Sequence, residues 1–290
     1  MTQDPFKFAP LHQILYEKTV RRALAEDLGR SGDITTNAIV PKEDKAAARI
    51  TAQAPGRIAG VEVAVYAFRY LDPSLQFEIL CPDGTDVQQG EIIAVVQGPA
   101  GSILTGERTA LNFLSHLSGI ATATHRIVNM VVSYPAHVVC TRKTTPGLRT
   151  LEKYAVRAGG GFNHRFGLDD AVLIKDNHIA VAGGVTNAIR RVRLTVGHMV
   201  KVEVEVDTLK QLETALKENI DALLLDNMSI ETLSEAVRMV DGKVITEASG
   251  GITPETAQRV AATGVDLLSI GWLTHSAPAL NLSLDIVIGE

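Results

Sequence analysis

The stretch that decides the fold is Met199–Gly271, MVKVEVEVDTLKQLETALKENIDALLLDNMSIETLSEAVRMVDGKVITEASGGITPETAQRVAATGVDLLSIG. Short β-rich runs recur in it at Met199–Val206, Ala222–Asn227, Val244–Ser249 and Leu267–Gly271. Between them lie segments with apolar residues at helical spacing, Leu209–Glu218, Ile230–Val240 and Pro254–Ala262. Strand-like runs that alternate with helical ones imply parallel strands joined by helical crossovers. Upstream, the runs His137–Arg142 and Ala171–Lys175, with helical segments at Leu148–Ala158 and Val185–Val196, bring the number of such units to six. Six parallel strands can form an open doubly wound sheet, or a barrel smaller than the eight-stranded type.

Further towards the N-terminus the pattern changes. Ile103–Met130 reads as one long helix bridging to a second domain, and Leu11–Leu28 as an amphipathic helix ending at Gly29. A turn-rich stretch, 29–33, follows. Short strands are expected over 46–54, 57–63, 76–80 and 92–97, separated by turns at Pro73, Pro82-Asp83-Gly84 and Gln89-Gly90. The whole chain of 290 residues is long enough for one large or two modest domains. Its 46% hydrophobic and 21% charged content excludes extensive disorder, and 4% aromatics means an aliphatic core. A net charge of -5 argues against a nucleic-acid binder. Two cysteines, Cys81 and Cys140, make neither a disulfide scaffold nor a four-thiolate metal site. No apolar run reaches roughly 18 residues, so no membrane span is expected. Met1–Pro10 lacks the features of a signal peptide, and a cytoplasmic location is the expectation.

In parallel α/β folds the chemistry gathers beyond the carboxyl ends of the strands. Here those ends carry Arg142-Lys143, Lys175-Asp176-Asn177-His178, Asp226-Asn227, Ser249-Gly250-Gly251 and Ser269-Ile270-Gly271. In Lys201–Val206 the charged residues Lys201, Glu203 and Glu205 alternate with three valines, which places the charges on an interior face. Buried charges of this kind need partners or a ligand. Between Arg142 and His178 seven Lys or Arg stand against four Asp or Glu, a surplus suited to a small polyanion. Arg149, Lys153 and Arg157 recur at helical spacing and read as a solvated helix face. The paired Ser-Gly-Gly and Ser-Ile-Gly ends suit phosphate, because glycine lets backbone N–H groups approach an anion. Glu205 and Asp226 offer hard oxygens for a Mg²⁺ shared with phosphates. No His or Cys spacing suggests zinc; His116, His125, His137 and His198 read as ordinary helix or strand positions.

The block Thr141-Arg142-Lys143-Thr144-Thr145-Pro146-Gly147-Leu148-Arg149 resembles the quinolinate phosphoribosyltransferase family. The likeness continues through Gly159–Arg165, Leu173–His178, Val202–Val206 and Leu224–Asn227, and includes Glu26-Asp27-Leu28, Gly32–Thr36, Glu107–Asn112 and Thr274-His275-Ser276. It spans essentially the whole chain. The resemblance implies an N-terminal α/β sandwich over 1–118, to which a C-terminal tail, 276–290, can return. It also implies an incomplete, open α/β barrel of about six parallel strands over 119–275. The implied activity is that of a pentosyltransferase of NAD biosynthesis. It joins quinolinate to 5-phosphoribosyl-1-pyrophosphate with Mg²⁺ and gives nicotinate mononucleotide, pyrophosphate and CO₂. By the same resemblance quinolinate meets Arg108, Arg142, His164, Arg165 and Lys175, with Lys143 between the two substrates. The phosphoribosyl side is taken by Glu205, Asp226, Ser249, Gly250, Gly251 and Gly271, and Thr141 and Ser269 are further substrate-binding residues. Lys143, Lys175, Glu205 and Asp226 are the implied catalytic groups. A homodimer or higher even oligomer, with Arg108 entering from the partner subunit, is implied as the active unit.

Trp272, after Ser269-Ile270-Gly271, departs from the small residue the family pattern leads one to expect. Its side chain either turns away from the phosphate loop or narrows that end of the pocket. Three rival readings stand beside the resemblance. A strand-end lysine, Lys143 or Lys175, could form a Schiff base as in barrel aldolases, but this leaves Glu205, Asp226 and the arginines without a role. A related phosphoribosyltransferase-like protein of metal transport could share the fold. The third is a non-catalytic anion-binding module, since the N-terminal domain resembles small carrier-like sandwiches. CO₂ release from quinolinate separates all of them.

Overall fold

The computed structural model describes residues 9–287. These residues divide into two compact units, one of 9–125, 144–160 and 273–287, the other of 126–143 and 161–272.

The first unit opens with a short 3₁₀ turn, Gln13–Leu15, then α1 (Glu17–Leu28) and α2 (Ile34–Ile39). It continues with β1 (Lys45–Ala52), β2 (Gly56–Arg57), α3 (Val61–Leu71), β3 (Gln76–Ile79), β4 (Asp86–Val87) and β5 (Ile92–Pro99). The 32-residue helix α4 (Ala100–Val131) follows. The strand expected over 57–63 is corrected: β2 ends at Arg57, and Val61 begins a helix. The alternation Val61-Glu62-Val63-Ala64-Val65 looks strand-like, but it runs on into Tyr66-Ala67-Phe68. The helix buries Val61, Val63, Ala64, Val65, Ala67 and Phe68 and leaves Glu62, Tyr66, Arg69 and Tyr70 less covered at helical spacing, and burying that broad apolar face decides the conformation. The sequence reading also passed over α2, which Asp33 caps by accepting the Thr36 N–H at 2.9 Å.

A four-stranded antiparallel sheet in the order β12-β1-β5-β3 forms the floor of this unit. Its edge strand β12 (Leu282–Val287) comes from the chain's end and pairs Ala47 with Val287 through to Ala52 with Leu282. That return path requires a glycine in α4. A Cβ on Gly119 would stand 2.1 Å from the Pro278 carbonyl oxygen, so the backbones touch there. The unit also holds α5 (Arg149–Ala158). Lys153 in α5 is 2% exposed and Glu152 is fully buried, which corrects the expectation of a solvated face through Lys153. Glu152 accepts from the Thr145 N–H and shares a hydrogen bond with His116 Nε2, each at 3.0 Å.

The second unit holds β6 (His137–Val139), β7 (Val172–Ile174), β8 (Val202–Val206), β9 (Ala222–Asp226), β10 (Ile245–Ser249) and β11 (Leu267–Ser269). All pairings among them are parallel, in the order β6-β11-β10-β9-β8-β7. Consecutive strands from β7 to β11 are neighbours, and β6 then pairs with the last of them. This singly wound order belongs to a barrel rather than a doubly wound sheet. It stays open, with β6 and β7 as its edges. The helices are α6 (Asp176–Ala182), α7 (Val185–Arg193), α8 (Leu209–Ala215), α9 (Ile230–Val240) and α10 (Pro254–Ala261); the single turn α11 (Trp272–His275) starts at the last residue of this unit. In β8 every residue is buried: Val202, Val204 and Val206 are fully covered, while Glu203 and Glu205 are 8% and 9% exposed. Lys201 does not join them. It precedes β8, is exposed, and its Nζ donates to Asp221 Oδ1 at 2.7 Å at the strand's N-terminal end.

Candidate active site

A cavity of about 300 Å³ opens at the carboxyl ends of these strands. Its polar wall is Thr141, Arg142, Lys143, His164, Arg165, Lys175 and Ser269, and its apolar wall is Leu173 and Leu224. Four cations and no carboxylate line it. A flat ring with anionic substituents is the ligand such a wall fits: leucines for the faces, guanidinium and ammonium groups for the charges. Strand parity explains the membership. Leu173 and Lys175 share a face, as do Glu203 and Glu205, Leu224 and Asp226, Glu247 and Ser249, and Leu267 and Ser269.

Arg165 shows why the wall demands an anion. Its Nη1 donates to the Ala171 carbonyl at 3.0 Å, and its buried Nε has no hydrogen-bond partner. Burial, with the Arg142 guanidinium next, lowers its pKa, so this cation is destabilised until an anion arrives. The Lys175 ammonium is held in an ion pair with Glu205. Lys143 is exposed at the mouth, and its backbone N–H donates to Thr141 Oγ1 at 3.0 Å.

Beneath the cationic wall lies a buried acid pair. His164 Nε2 is 2.8 Å from Glu203 Oε2 and 3.6 Å from Glu247 Oε1, and His164 Nδ1 accepts the Arg165 backbone N–H at 2.8 Å. Glu247 is 1% exposed. Burial and the adjacent Glu203 carboxylate push its pKa up to about 7, against smaller opposing effects of His164 and a hydrogen bond with Ser269. The sequence reading placed Glu203 in the interior but passed over Glu247, although its parity with Ser249 in β10 was available. Leu173 and Leu224 were passed over as well, for leucine in a strand is usually core.

The expected phosphate end is arranged by β9 and β10. Asp226 accepts from Asn227 Nδ2 at 2.6 Å, and the Asn227 N–H donates to the Ser249 carbonyl at 2.9 Å. Gly250 has φ +97°, and a Cβ there would stand 2.1 Å from Asn227 Oδ1. Only glycine lets the two strand ends interlock this closely. Gly251 and Gly271 are the exposed and half-exposed turns beside it. The Trp272 indole N–H donates to the Ile252 carbonyl at 2.9 Å, so the ring is pinned to the backbone just after the glycines. Arg108 belongs to the other unit, on α4, with its side chain 67% exposed and 3.8 Å from Glu107.

Comparison with known proteins agrees across the chain. A family model described as quinolinate phosphoribosyl transferase, C-terminal domain, matches residues 120–285, and its N-terminal counterpart matches 33–118. A probable nicotinate-nucleotide pyrophosphorylase (carboxylating) of Bacillus subtilis is 41% identical over 280 residues, covering 97% of this chain and 96% of that protein. The nicotinate-nucleotide pyrophosphorylase (carboxylating) of Mycobacterium leprae is 45% identical over 273 residues, covering 92% and 96%. Among solved structures, NadC from Streptococcus pyogenes superposes with a TM-score of 0.93 at 40% identity, covering 97% of this chain and all of that one. The nicotinate-nucleotide pyrophosphorylase of Francisella tularensis gives 0.92 at 38%, covering 99% and 100%.

Proposed function

The chain belongs to the quinolinate phosphoribosyltransferase family, and from that premise we propose that the cavity of its open barrel joins quinolinate to 5-phosphoribosyl-1-pyrophosphate with loss of CO₂. The observation that carries this reading is the wall itself: four cations, two leucines and no acid around a space of about 300 Å³. Quinolinate is a flat pyridine with two adjacent carboxylates. Leu173 and Leu224 take its faces, and Arg142, Arg165, Lys175 and Lys143 take its charges.

The chemistry has two steps. The ring nitrogen forms a bond to ribose C1 as the C1–oxygen bond to pyrophosphate breaks, through a transition state with oxocarbenium character. Asp226 and Glu205, at the ends of adjacent strands, stabilise the cationic ribose. Ser249, Gly250, Gly251, Ser269 and Gly271 supply hydroxyl and backbone N–H groups to the phosphoribosyl side. In the second step the bond to the 2-carboxylate breaks, CO₂ leaves, and the electron pair stays on the carbon beside the cationic nitrogen until it takes a proton. No further electron sink is needed.

Mg²⁺ fits this donor set as an ion brought with the substrate. Glu205 and Asp226 are hard oxygen donors, but Lys175 and Asn227 already engage them. Among the described residues no three-ligand cluster includes either one. They would hold the ion together with phosphate oxygens and water, a common manner of binding for Mg²⁺. When bound, Mg²⁺ neutralises charge on the departing pyrophosphate. The proposed active unit is a homodimer in which the exposed Arg108 reaches the partner subunit's cavity. No helix among the described residues is long and apolar enough to cross a membrane. The Cys81 thiol is free, which suits the cytoplasmic setting proposed for the enzyme.

The test is CO₂ release from quinolinate labelled in its 2-carboxylate. Release that requires both 5-phosphoribosyl-1-pyrophosphate and Mg²⁺ supports the reading, and its absence in folded protein refutes it.

A further inference from the structure

We propose that Glu203 and Glu247 are positioning residues for the anion site: beneath the cavity they fix His164 as its neutral Nε2–H tautomer and, through it, set the backbone of Arg165. The proposal rests on the reading of the cavity as the quinolinate site. His164 is the hinge of the inference. A backbone N–H can only donate, so the 2.8 Å bond from Arg165 requires a bare lone pair on His164 Nδ1. The ring proton then sits on Nε2, where Glu203 Oε2 receives it at 2.8 Å. Both ring nitrogens are thereby committed within the protein, and the bond at Nδ1 orients the Arg165 peptide. Arg165 is in turn anchored on the Ala171 carbonyl, with its Nε aimed at no protein acceptor. The chain of contact therefore runs from the acid pair through the imidazole to the guanidinium that lines the cavity.

The same three side chains could be taken for a cation site, since each offers a ligand atom within 4.8 Å of the others. The tautomer argues otherwise. A metal-bound imidazole normally donates its second N–H to an acceptor, whereas here that position faces a donor. Glu247 completes the set as an acid rather than as a second free charge. Two carboxylates this close and this buried are not both ionised, and Glu203 Oε1 and Glu247 Oε1 accept no hydrogen bond. The titratable groups that face the pair are the neutral His164 imidazole and, on the cavity side, the Arg165 guanidinium. Ser269 adds the hydrogen bond already noted.

The experiment uses the full-length enzyme and the variants Glu247→Leu and Glu247→Gln, with KM for each substrate and kcat measured separately. Leucine removes the acid; glutamine keeps an uncharged donor of the same shape. Glu247→Leu should raise the KM for quinolinate about tenfold or more while the KM for 5-phosphoribosyl-1-pyrophosphate stays within about twofold, and Glu247→Gln should recover most of that loss. Equal shifts in both KM values, no shift, or a glutamine variant as impaired as leucine at neutral pH would overturn the proposal. If Glu247→Leu does not fold, ¹⁵N-histidine NMR of the wild-type protein decides, with the His164 signals assigned by their loss in His164→Gln. A proton on Nε2 and a bare Nδ1 support the proposal; an imidazolium or an Nδ1–H ring sinks it. If the wild-type enzyme does not turn quinolinate over, the functional reading falls, and the NMR result alone upholds or overturns the tautomer and its acid pair.

Discussion

Removing one carboxylate from the substrate tests the cavity without disturbing the protein. Nicotinate keeps the ring nitrogen and the 3-carboxylate of quinolinate but lacks the 2-carboxylate, and both lead to the same mononucleotide. With four cations on the wall and no acid among them, the missing group leaves donors unsatisfied. Arg165 is one, because its Nε has no protein acceptor. A second donor is lost on any placement that lets the carboxylate use both its oxygens. Hydrogen bonds to charged groups contribute roughly 1.5–3 kcal/mol each. Two of them at the lower end give about 3 kcal/mol, or ~10²-fold in kcat/KM, and at the upper end ~10⁴-fold. The assay is steady-state formation of nicotinate mononucleotide from each acid at saturating 5-phosphoribosyl-1-pyrophosphate and Mg²⁺. Values of kcat/KM within about threefold would mean the wall does not read the second carboxylate, and the assignment of the cations to it would be wrong.

Other perturbations separate binding from folding. Arg142→Ala and Lys175→Ala should each lower kcat/KM for quinolinate by about 10²-fold or more while the protein stays folded by circular dichroism; near-normal turnover would remove that residue from contact with substrate. Gly250→Ala forces a Cβ to within 2.1 Å of Asn227 Oδ1 at φ +97°. It should cost about 1–3 kcal/mol in urea unfolding and raise the KM for 5-phosphoribosyl-1-pyrophosphate more than that for quinolinate. Asp221 supplies a pH test of stability. Burial raises its pKa, but hydrogen bonds from Lys201, the Val202 N–H and Arg193 more than offset this and hold it at about 2 rather than 3.8. A depressed carboxylate contributes stability that is present above the ordinary value and is lost as pH falls through about 2. Asp221→Asn should therefore lower stability at neutral pH by on the order of 1 kcal/mol after solvent screening, and the difference from wild type should vanish in acid melts near pH 2. A difference that persists there would assign the loss to packing.

Two similar pentapeptides show what could and could not be read from the residues. Val202-Glu203-Val204-Glu205-Val206 is a strand, and Val61-Glu62-Val63-Ala64-Val65 opens a helix. The first is stopped by Asp207 and by Thr208, whose side chain caps α8. The second continues into apolar residues that complete a helical face. Alternation settles a strand only when the chain stops soon after it. Lys201 illustrates the same limit from the other side. Its parity matches Glu203, but it lies one residue before the strand, where its long stem carries the ammonium out to Asp221. The barrel and its strand-end polar groups were legible because strands and crossovers repeat. The second layer was not: Glu247 earns its place through a histidine from a distant part of the chain, and Lys153 through a core that covers most of α5. Such contacts have no local period.

The placement of acids relative to the cavity follows from the reaction it is proposed to run. A carboxylate in the wall would neutralise a cation and compete with the substrate. Four cations with no acid nearby would instead repel one another; the pKa of Arg165 is lowered chiefly by burial, and the Arg142 guanidinium adds to that. Setting Glu205 behind Lys175 and the Glu203–Glu247 pair behind His164 offsets the repulsion in the empty site while leaving the wall free for incoming anions. One consequence concerns turnover. Loss of CO₂ removes one of the two carboxylates the wall is built to hold, so the product ring is bound by fewer charge-assisted hydrogen bonds than the substrate ring. Decarboxylation thus weakens the enzyme's hold on the ring in the same step that completes the product, and the chain's net charge of -5 does nothing to retain an anionic nucleotide once it leaves.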